Sequence, residues 1–112
     1  MATCSDEQLE KMKAEHPDWT LIRIGVQGGD IVIRNPSEAE HNVFSAQFWE
    51  KGGEPVAYRN ALVQQCVFPD RSELLKMLSR WPGLPSNGKV AKAITYLSGM
   101  TDKLEGEGLR VL

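Results

Sequence analysis

The residues of this sequence that could bind a metal ion or attack a substrate are two cysteines, Cys4 and Cys66, and two histidines, His16 and His41. Their spacing matches none of the CxxC, HxxxH or HExxH patterns that bring metal ligands together, so the sequence predicts no metal site. Cys66 lies in an apolar stretch, which favours a buried and inert thiol over a nucleophile. Neither histidine has an evident partner for acid–base work, and the sequence therefore indicates no enzyme.

Glycine-rich patterns that hold a nucleotide are missing as well. The segment at residues 25–29 does not have the GxGxxG spacing, and no GxxxxGKS or GxxxxGKT sequence occurs. The GxSxG turn that exposes a nucleophilic serine is also absent. We therefore predict no bound cofactor.

The composition is that of an ordinary soluble domain. The chain has 112 residues, of which 41% are hydrophobic and 25% charged, and its net charge is −2. That charge disfavours a general nucleic-acid binder. No apolar run approaches the roughly 20 residues of a membrane-spanning helix, and the first residues lack the basic and apolar regions of a signal peptide. We expect one domain located in the cytosol.

The elements that must position any functional residue begin with a helix and a β-hairpin. Ser5 and Gln8 have the spacing of a capping box, which predicts a first helix over residues 5–16. Two short segments rich in β-branched residues flank a glycine-rich turn and predict a hairpin over about residues 19–34. Two strands alone are marginally stable in water. The hairpin should lie over a helical core, which we favour, or be extended by a strand from another chain.

The rest of the chain shows helical periodicity. Ser37 and Glu40 form a second capping-box pattern, and Pro69 and Pro82 interrupt the apolar pattern further on. The fold class is therefore α+β, with the first helix and hairpin followed by a bundle of about four short helices. We expect a single domain over residues 1–100, its helical part at about 37–99, and a flexible tail at 101–112. The four helices are predicted at about 37–51, 55–66, 70–81 and 87–98.

Charge is distributed unevenly along the sequence. Residues 1–53 carry a net charge of −4, whereas residues 54–104 carry +3. Opposite charges on the two halves could favour head-to-tail self-association or a polar partner. Ordinary surface charge is the simpler interpretation.

The densest local pattern is an apolar helix ending near Pro69, followed by a second helix that ends in Trp81-Pro82-Gly83-Leu84. Pro82 and Gly83 predict a sharp reversal, and Trp81 should cover the joint between two helices. Over residues 31–99 this pattern, with the later helix ending in Leu-Ser-Gly, resembles the small tail assembly chaperones of long-tailed bacteriophages and prophages.

The resemblance implies a non-enzymatic role in the cytoplasm of a bacterial host. Chaperones of this family bind the long, largely helical tape-measure protein and keep it soluble before the tail-tube protein polymerises around it. Many phages also make a longer form by ribosomal frameshifting near the end of the gene. The expected partners are therefore the tape-measure and tail-tube proteins, with a homo-oligomer as a further possibility.

The sequence is also compatible with other protein classes. A small structural virion protein, from the tail or the head–tail connector, could self-associate or add its hairpin to a neighbouring sheet. A DNA-binding regulator is disfavoured because the turn at residues 81–85 is too long for a helix-turn-helix. An inhibitor of a host factor also fits a small acidic domain.

A protein-binding role directs attention to the aromatic and large apolar side chains, which supply contact area at low entropic cost. Phe48 and Trp49 are the best candidates, because two adjacent aromatic residues on a helix cannot both face one narrow apolar stripe. The alternative for each aromatic residue is a place in the core. The candidate partner-binding residues are Phe44, Phe48, Trp49, Trp81 and Leu84.

Overall fold

The structure is a computed structural model that describes residues 3–101 and Arg110–Val111. Within these residues it contains five α-helices and one four-stranded antiparallel sheet, which confirms the predicted α+β class. A short 3-10 helix spans Leu84–Ser86. The α-helices are α1 (Asp6–Glu15), α2 (Glu38–Phe48), α3 (Glu54–Gln65), α4 (Arg71–Arg80) and α5 (Gly88–Leu97); the strands are β1 (Leu21–Val26), β2 (Gly29–Arg34), β3 (Cys66–Phe68) and β4 (Arg110–Val111).

The hairpin formed by β1 and β2 is the centre of the sheet, whose strand order is β3-β2-β1-β4. Val26 lies opposite Gly29, so Gln27 and Gly28 alone form the turn. Gly28 has a φ of 95°, a conformation that glycine adopts without steric cost. The strands thus extend further into the glycine-rich segment than the sequence predicts.

The two faces of this sheet are covered by different layers. Ile22 and Ile24 of β1 belong to the core formed with the helices of the second half. The alternate residue Leu21, together with Val32 of β2, packs with Cys4 and Leu9 of the N-terminal segment. Because successive strand residues point to opposite faces, the molecule has three layers, with α1 on one side of the sheet.

The N-terminal layer is also attached by polar contacts. The Cys4 amide donates to Asp30 Oδ2 at 3.0 Å, and Arg23 Nη1 donates to the Cys4 carbonyl oxygen at 3.1 Å. Arg23 Nη1 also lies 3.1 Å from Asp6 Oδ1. The capping box predicted from Ser5 and Gln8 is formed at the start of α1. These contacts hold a helix whose apolar stripe is thin.

A charged network joins β2 to α2 and α3. Arg34 donates to both carboxylate oxygens of Glu40, at 2.8 and 3.0 Å, and to the Gln64 carbonyl oxygen at 3.1 Å. The buried Gln65 side chain donates to the Arg34 carbonyl oxygen at 2.8 Å. The hydrogen bond from Arg34 lowers the pKa of Glu40 to about 2. This network fixes the direction in which the chain leaves the sheet and begins the helical half.

Two segments differ from the sequence-based expectation. The third helix was predicted to reach Cys66, but it ends at Gln65, and Cys66 begins β3, which pairs with β2. At Cys66 the backbone forms hydrogen bonds to the edge of β2, and this pairing replaces the helix that the apolar periodicity predicted. Of the predicted tail, residues 102–109 and 112 lie outside the described residues. Arg110 and Val111 pair with β1 as a strand that the sequence did not predict.

Candidate functional site

The five residues predicted to contact a partner occupy three kinds of environment. Phe44 and Leu84 are buried in the core, with 4% and 5% of their surface exposed, so neither offers a contact surface in this conformation. Phe48 and Trp81 are half-buried. Trp49 has 74% of its surface exposed. The prediction of a partner contact therefore applies most directly to Trp49, with Phe48 and Trp81 contributing from the edge of the core.

Three of the five residues belong to one aromatic cluster at the end of α2, which we call the Trp49 cluster (Phe44, Phe48, Trp49 and Tyr58). The Trp49 ring meets the Phe48 ring edge-on, with centroids 5.0 Å apart. The Phe48 ring in turn packs against Tyr58 of α3 at 5.8 Å and Phe44 at 5.6 Å. Aromatic pairs in this geometry stabilise one another beyond the burial of their area. The exposed indole of Trp49 is therefore held in position by packed aromatic rings.

The backbone also fixes the position of Trp49. It is the C-terminal cap of α2, directly after Phe48, and its amide donates to the Ser45 carbonyl oxygen at 3.2 Å. Gly52, with a φ of 74°, and Gly53 then turn the chain into α3. The helix end and the reversal leave Trp49 outside the contact between α2 and α3. The sequence signal for this exposure was the adjacency of Phe48 and Trp49.

Trp81 lies at a second surface, between the turn of the hairpin and α4. We call it the hairpin-tip groove; its volume is about 930 Å³. The Arg80 guanidinium carbon lies 5.5 Å from the centroid of the Trp81 ring, a distance at which a cation and an aromatic face attract. Lys76 Nζ lies 3.4 Å from Glu73 Oε1. The groove is lined by Gln27, Gly28, Glu73, Lys76, Met77, Arg80 and Trp81.

Gly28 belongs to this groove and was missed as a candidate site residue. A Cβ atom at position 28 would lie 2.8 Å from Trp81 Cη2 and closer still to Cζ3. The tryptophan therefore contacts the hairpin turn, whereas the sequence led us to expect it over the joint of two helices. The glycine-rich turn was visible in the sequence, but its contact with Trp81 depends on how the sheet and α4 pack.

The two cysteine thiols and the His16 ring are engaged in contacts within the fold. Burial raises the pKa of the Cys66 thiol to about 12, and its Sγ donates to the Phe68 carbonyl oxygen at 3.1 Å. Burial also raises the pKa of the Cys4 thiol. The His16 ring stacks on Trp19 with centroids 3.6 Å apart. Among residues 3–101 and 110–111, no group of three or more histidine, cysteine or acidic residues is placed to hold a metal ion.

Comparison with protein-family models, with curated proteins and with solved structures gave no match to this chain. In the part of the chain that the structure describes, no helix combines the length and the apolar character that crossing a membrane requires. The α+β fold presents two surfaces with the geometry of a binding site, the Trp49 cluster and the hairpin-tip groove.

Proposed function

We propose that the chain is a non-enzymatic tail assembly chaperone of a long-tailed bacteriophage or prophage, acting in the cytoplasm of the bacterial host. It binds the tape-measure protein and keeps it soluble until the tail-tube protein assembles around it. The resemblance of residues 31–99 to this family supplies the identity of the partners. The structural observation that supports a binding role is the exposure of Trp49.

An exposed tryptophan is unfavourable for an isolated domain, because its large apolar surface remains in water. In a binding protein the same side chain supplies contact area at a low cost in conformational entropy. The other large apolar residues with substantial exposure among the described residues are Val43, Val56 and Leu75, all smaller than Trp49. Since the Trp49 ring packs against Phe48, and Phe48 packs in turn against Tyr58, the position of the indole is largely set before a partner arrives. Such preorganisation lowers the cost of binding.

A chaperone that holds a long protein needs many weak contacts and rapid release. A single exposed aromatic residue on a small domain fits this requirement, since each copy contributes a modest contact and many copies act along one chain. A deep and enclosed pocket would favour one small ligand instead. The open surfaces of this chain suit a partner that must later be handed over to the tail-tube protein.

The test is co-expression with the large protein encoded nearest downstream, followed by size-exclusion chromatography with light scattering. We expect that protein to precipitate when expressed alone and to remain soluble in a complex with several copies of this chain. Equal solubility with and without this chain, and no co-elution, would contradict the proposal.

Comparing the masses of the expressed products with the messenger sequence tests for a frameshifted form.

The edge of the sheet favours one alternative, a structural virion protein. The two residues of β4 pair only with Ile22 and Arg23. At the opposite edge of the sheet β3 is an outer strand, and β2 is its only strand partner among residues 3–101 and 110–111. A neighbouring subunit could add a strand at this position. A closed ring of the small chain alone, unaffected by the large downstream protein, would favour this alternative.

A further inference from the structure

We propose that the hairpin-tip groove binds an acidic segment of a protein partner, with an apolar side chain of that segment against Trp81 and carboxylates against Arg80 and Lys76. This inference extends the proposed function by assigning a site and a chemistry to one contact with the partner. It involves a surface other than the Trp49 cluster.

The residue types at the groove are those of a binding surface. Trp81, Arg80 and Met77 belong to the three kinds of side chain most enriched at protein interfaces. Trp81 is half-buried against Gly28, so its ring is held in place while part of it still faces the groove. A second and smaller cavity of about 370 Å³ shares Gln27, Arg80 and Trp81 and continues the groove along the following turn. The two cavities together provide room for a peptide segment.

The charge of the groove indicates what the segment carries. The groove is lined by two basic residues, Lys76 and Arg80, and by one acidic residue, Glu73. Lys76 and Glu73 lie 3.4 Å apart, but both side chains are exposed, so this ion pair is weak in water. Among the described residues Arg80 forms no salt bridge, and its guanidinium group lies over Trp81 with its remaining donors available. The charged residues of the groove, Glu73, Lys76 and Arg80, all come from the half of the chain with net positive charge, and the hairpin contributes only the uncharged Gln27 and Gly28. A partner segment with carboxylates beside an apolar residue complements these groups.

The electrostatic potential at the far end of the groove is also positive. It reaches Asn87, whose side chain caps α5 by accepting from the Lys89 amide at 3.0 Å. α5 has no acidic residue in its first turn, so no carboxylate of that turn offsets the positive end of its dipole. This field adds to that of Arg80 and Lys76 and favours carboxylates along the length of the groove.

The direct probe is a short fluorescein-labelled peptide of glutamates around one central leucine, titrated with the full chain by fluorescence anisotropy. We expect binding that weakens with added salt, and a loss of affinity of about tenfold or more in Arg80→Glu. Arg59→Glu makes the same charge change at an exposed position of α3 outside the groove and should change affinity less than threefold or so. A peptide with lysines in place of the glutamates, or with glycine in place of the leucine, should bind at least about tenfold more weakly.

Equal losses in the Arg80 and Arg59 variants would overturn the proposal, because net charge alone would then explain binding. Absence of peptide binding would overturn it as well. So would self-association of the chain that Arg80→Glu abolishes, since the groove would then belong to a second copy. If the wild-type chain holds the large downstream protein in solution and Arg80→Glu holds it equally, the groove proposal fails while the proposed function stands. If the wild type does not hold it, the proposed function fails, and the peptide titration still decides the groove.

Discussion

The six-membered ring of Trp81 occupies the space into which a side chain at position 28 would project. Gly28 is the second residue of the hairpin turn, and Trp81 is the C-terminal cap of α4, more than fifty positions later in the chain. The contact joins the sheet to the helical half and forms one wall of the hairpin-tip groove. The hairpin turn and the end of α4 are therefore coupled.

Substitution Gly28→Ala should destabilise the protein by about 2–4 kcal/mol. The added Cβ would collide with the Trp81 ring, and the φ of 95° is unfavourable for alanine. The matched control is Gly25→Ala in the same hairpin, where a Cβ meets nothing within 4 Å and φ is not positive. That substitution should change the free energy of unfolding by less than about 1 kcal/mol. Urea unfolding measures both values, and equal effects would contradict the contact between Gly28 and Trp81.

Stability should depend on pH through Glu40. Its pKa of about 2 lies below the usual value of 4.5, because Arg34 donates to the ionised carboxylate. Between these values the unfolded chain binds more protons than the folded chain, so the stabilisation is complete above about pH 4.5 and is lost as the pH falls toward about 2. Glu40→Gln should cost about 1–3 kcal/mol at neutral pH, and the difference should fade on acidification.

The control for Glu40→Gln is Glu38→Gln, an exposed acidic residue in the same first turn of α2. It should cost about 0.5 kcal/mol or less, since it affects only the interaction with the helix dipole. Glutamine at position 40 can still form the capping hydrogen bond with the Ser37 amide, so the helix cap is retained while the charged two-point pair with Arg34 is lost. Chemical unfolding at pH 7, 4 and 2.5 would measure these differences. A Glu40→Gln penalty that stays constant over this range would contradict the role of the Arg34–Glu40 pair.

The thiol of Cys66 should react slowly in the folded protein. With a pKa of about 12, its thiolate fraction near pH 8 is roughly a thousandfold below that of a free cysteine. Cys4→Ser leaves Cys66 as the single thiol of the chain, and Ellman's reagent then follows its reaction directly. We expect modification at least a hundredfold or so slower in native buffer than in guanidinium. Comparable rates in the two solutions would show that the thiol is accessible and ionised.

Periodicity and capping patterns predicted most of the architecture, because they are local properties. The capping boxes at Ser5 and Ser37 were predicted from residue spacing, and the hairpin from two β-branched segments around a glycine-rich turn; all three are present. β3 was not predicted, because Cys66 continues an apolar helical pattern, and only the edge of β2 explains why the chain becomes extended there. The arrangement of α1 and the helical half on opposite faces of the sheet likewise depends on packing between distant segments.

The candidate site was also predictable only where it depends on local sequence. The adjacency of Phe48 and Trp49 on one helix implied that one of them would face outward, and Trp49 does. Phe44 and Leu84 were nominated by residue type alone, and residue type does not distinguish a core position from a surface one. Gly28 and Arg80 acquire their importance through the hairpin-tip groove, which exists only once the hairpin and α4 are packed together.

The most direct test of the account is co-expression of Trp49→Ser with the large protein encoded nearest downstream. The matched control is Val43→Ser, which removes an apolar side chain of α2 that is also well exposed. Because the Trp49 ring is mostly in water, both variants should fold, with free energies of unfolding within about 1 kcal/mol of wild type. We expect Trp49→Ser to lose co-elution with the large protein and to leave it in the precipitate, whereas Val43→Ser retains it. Retention of that protein by a folded Trp49→Ser variant at the wild-type level would contradict the central claim.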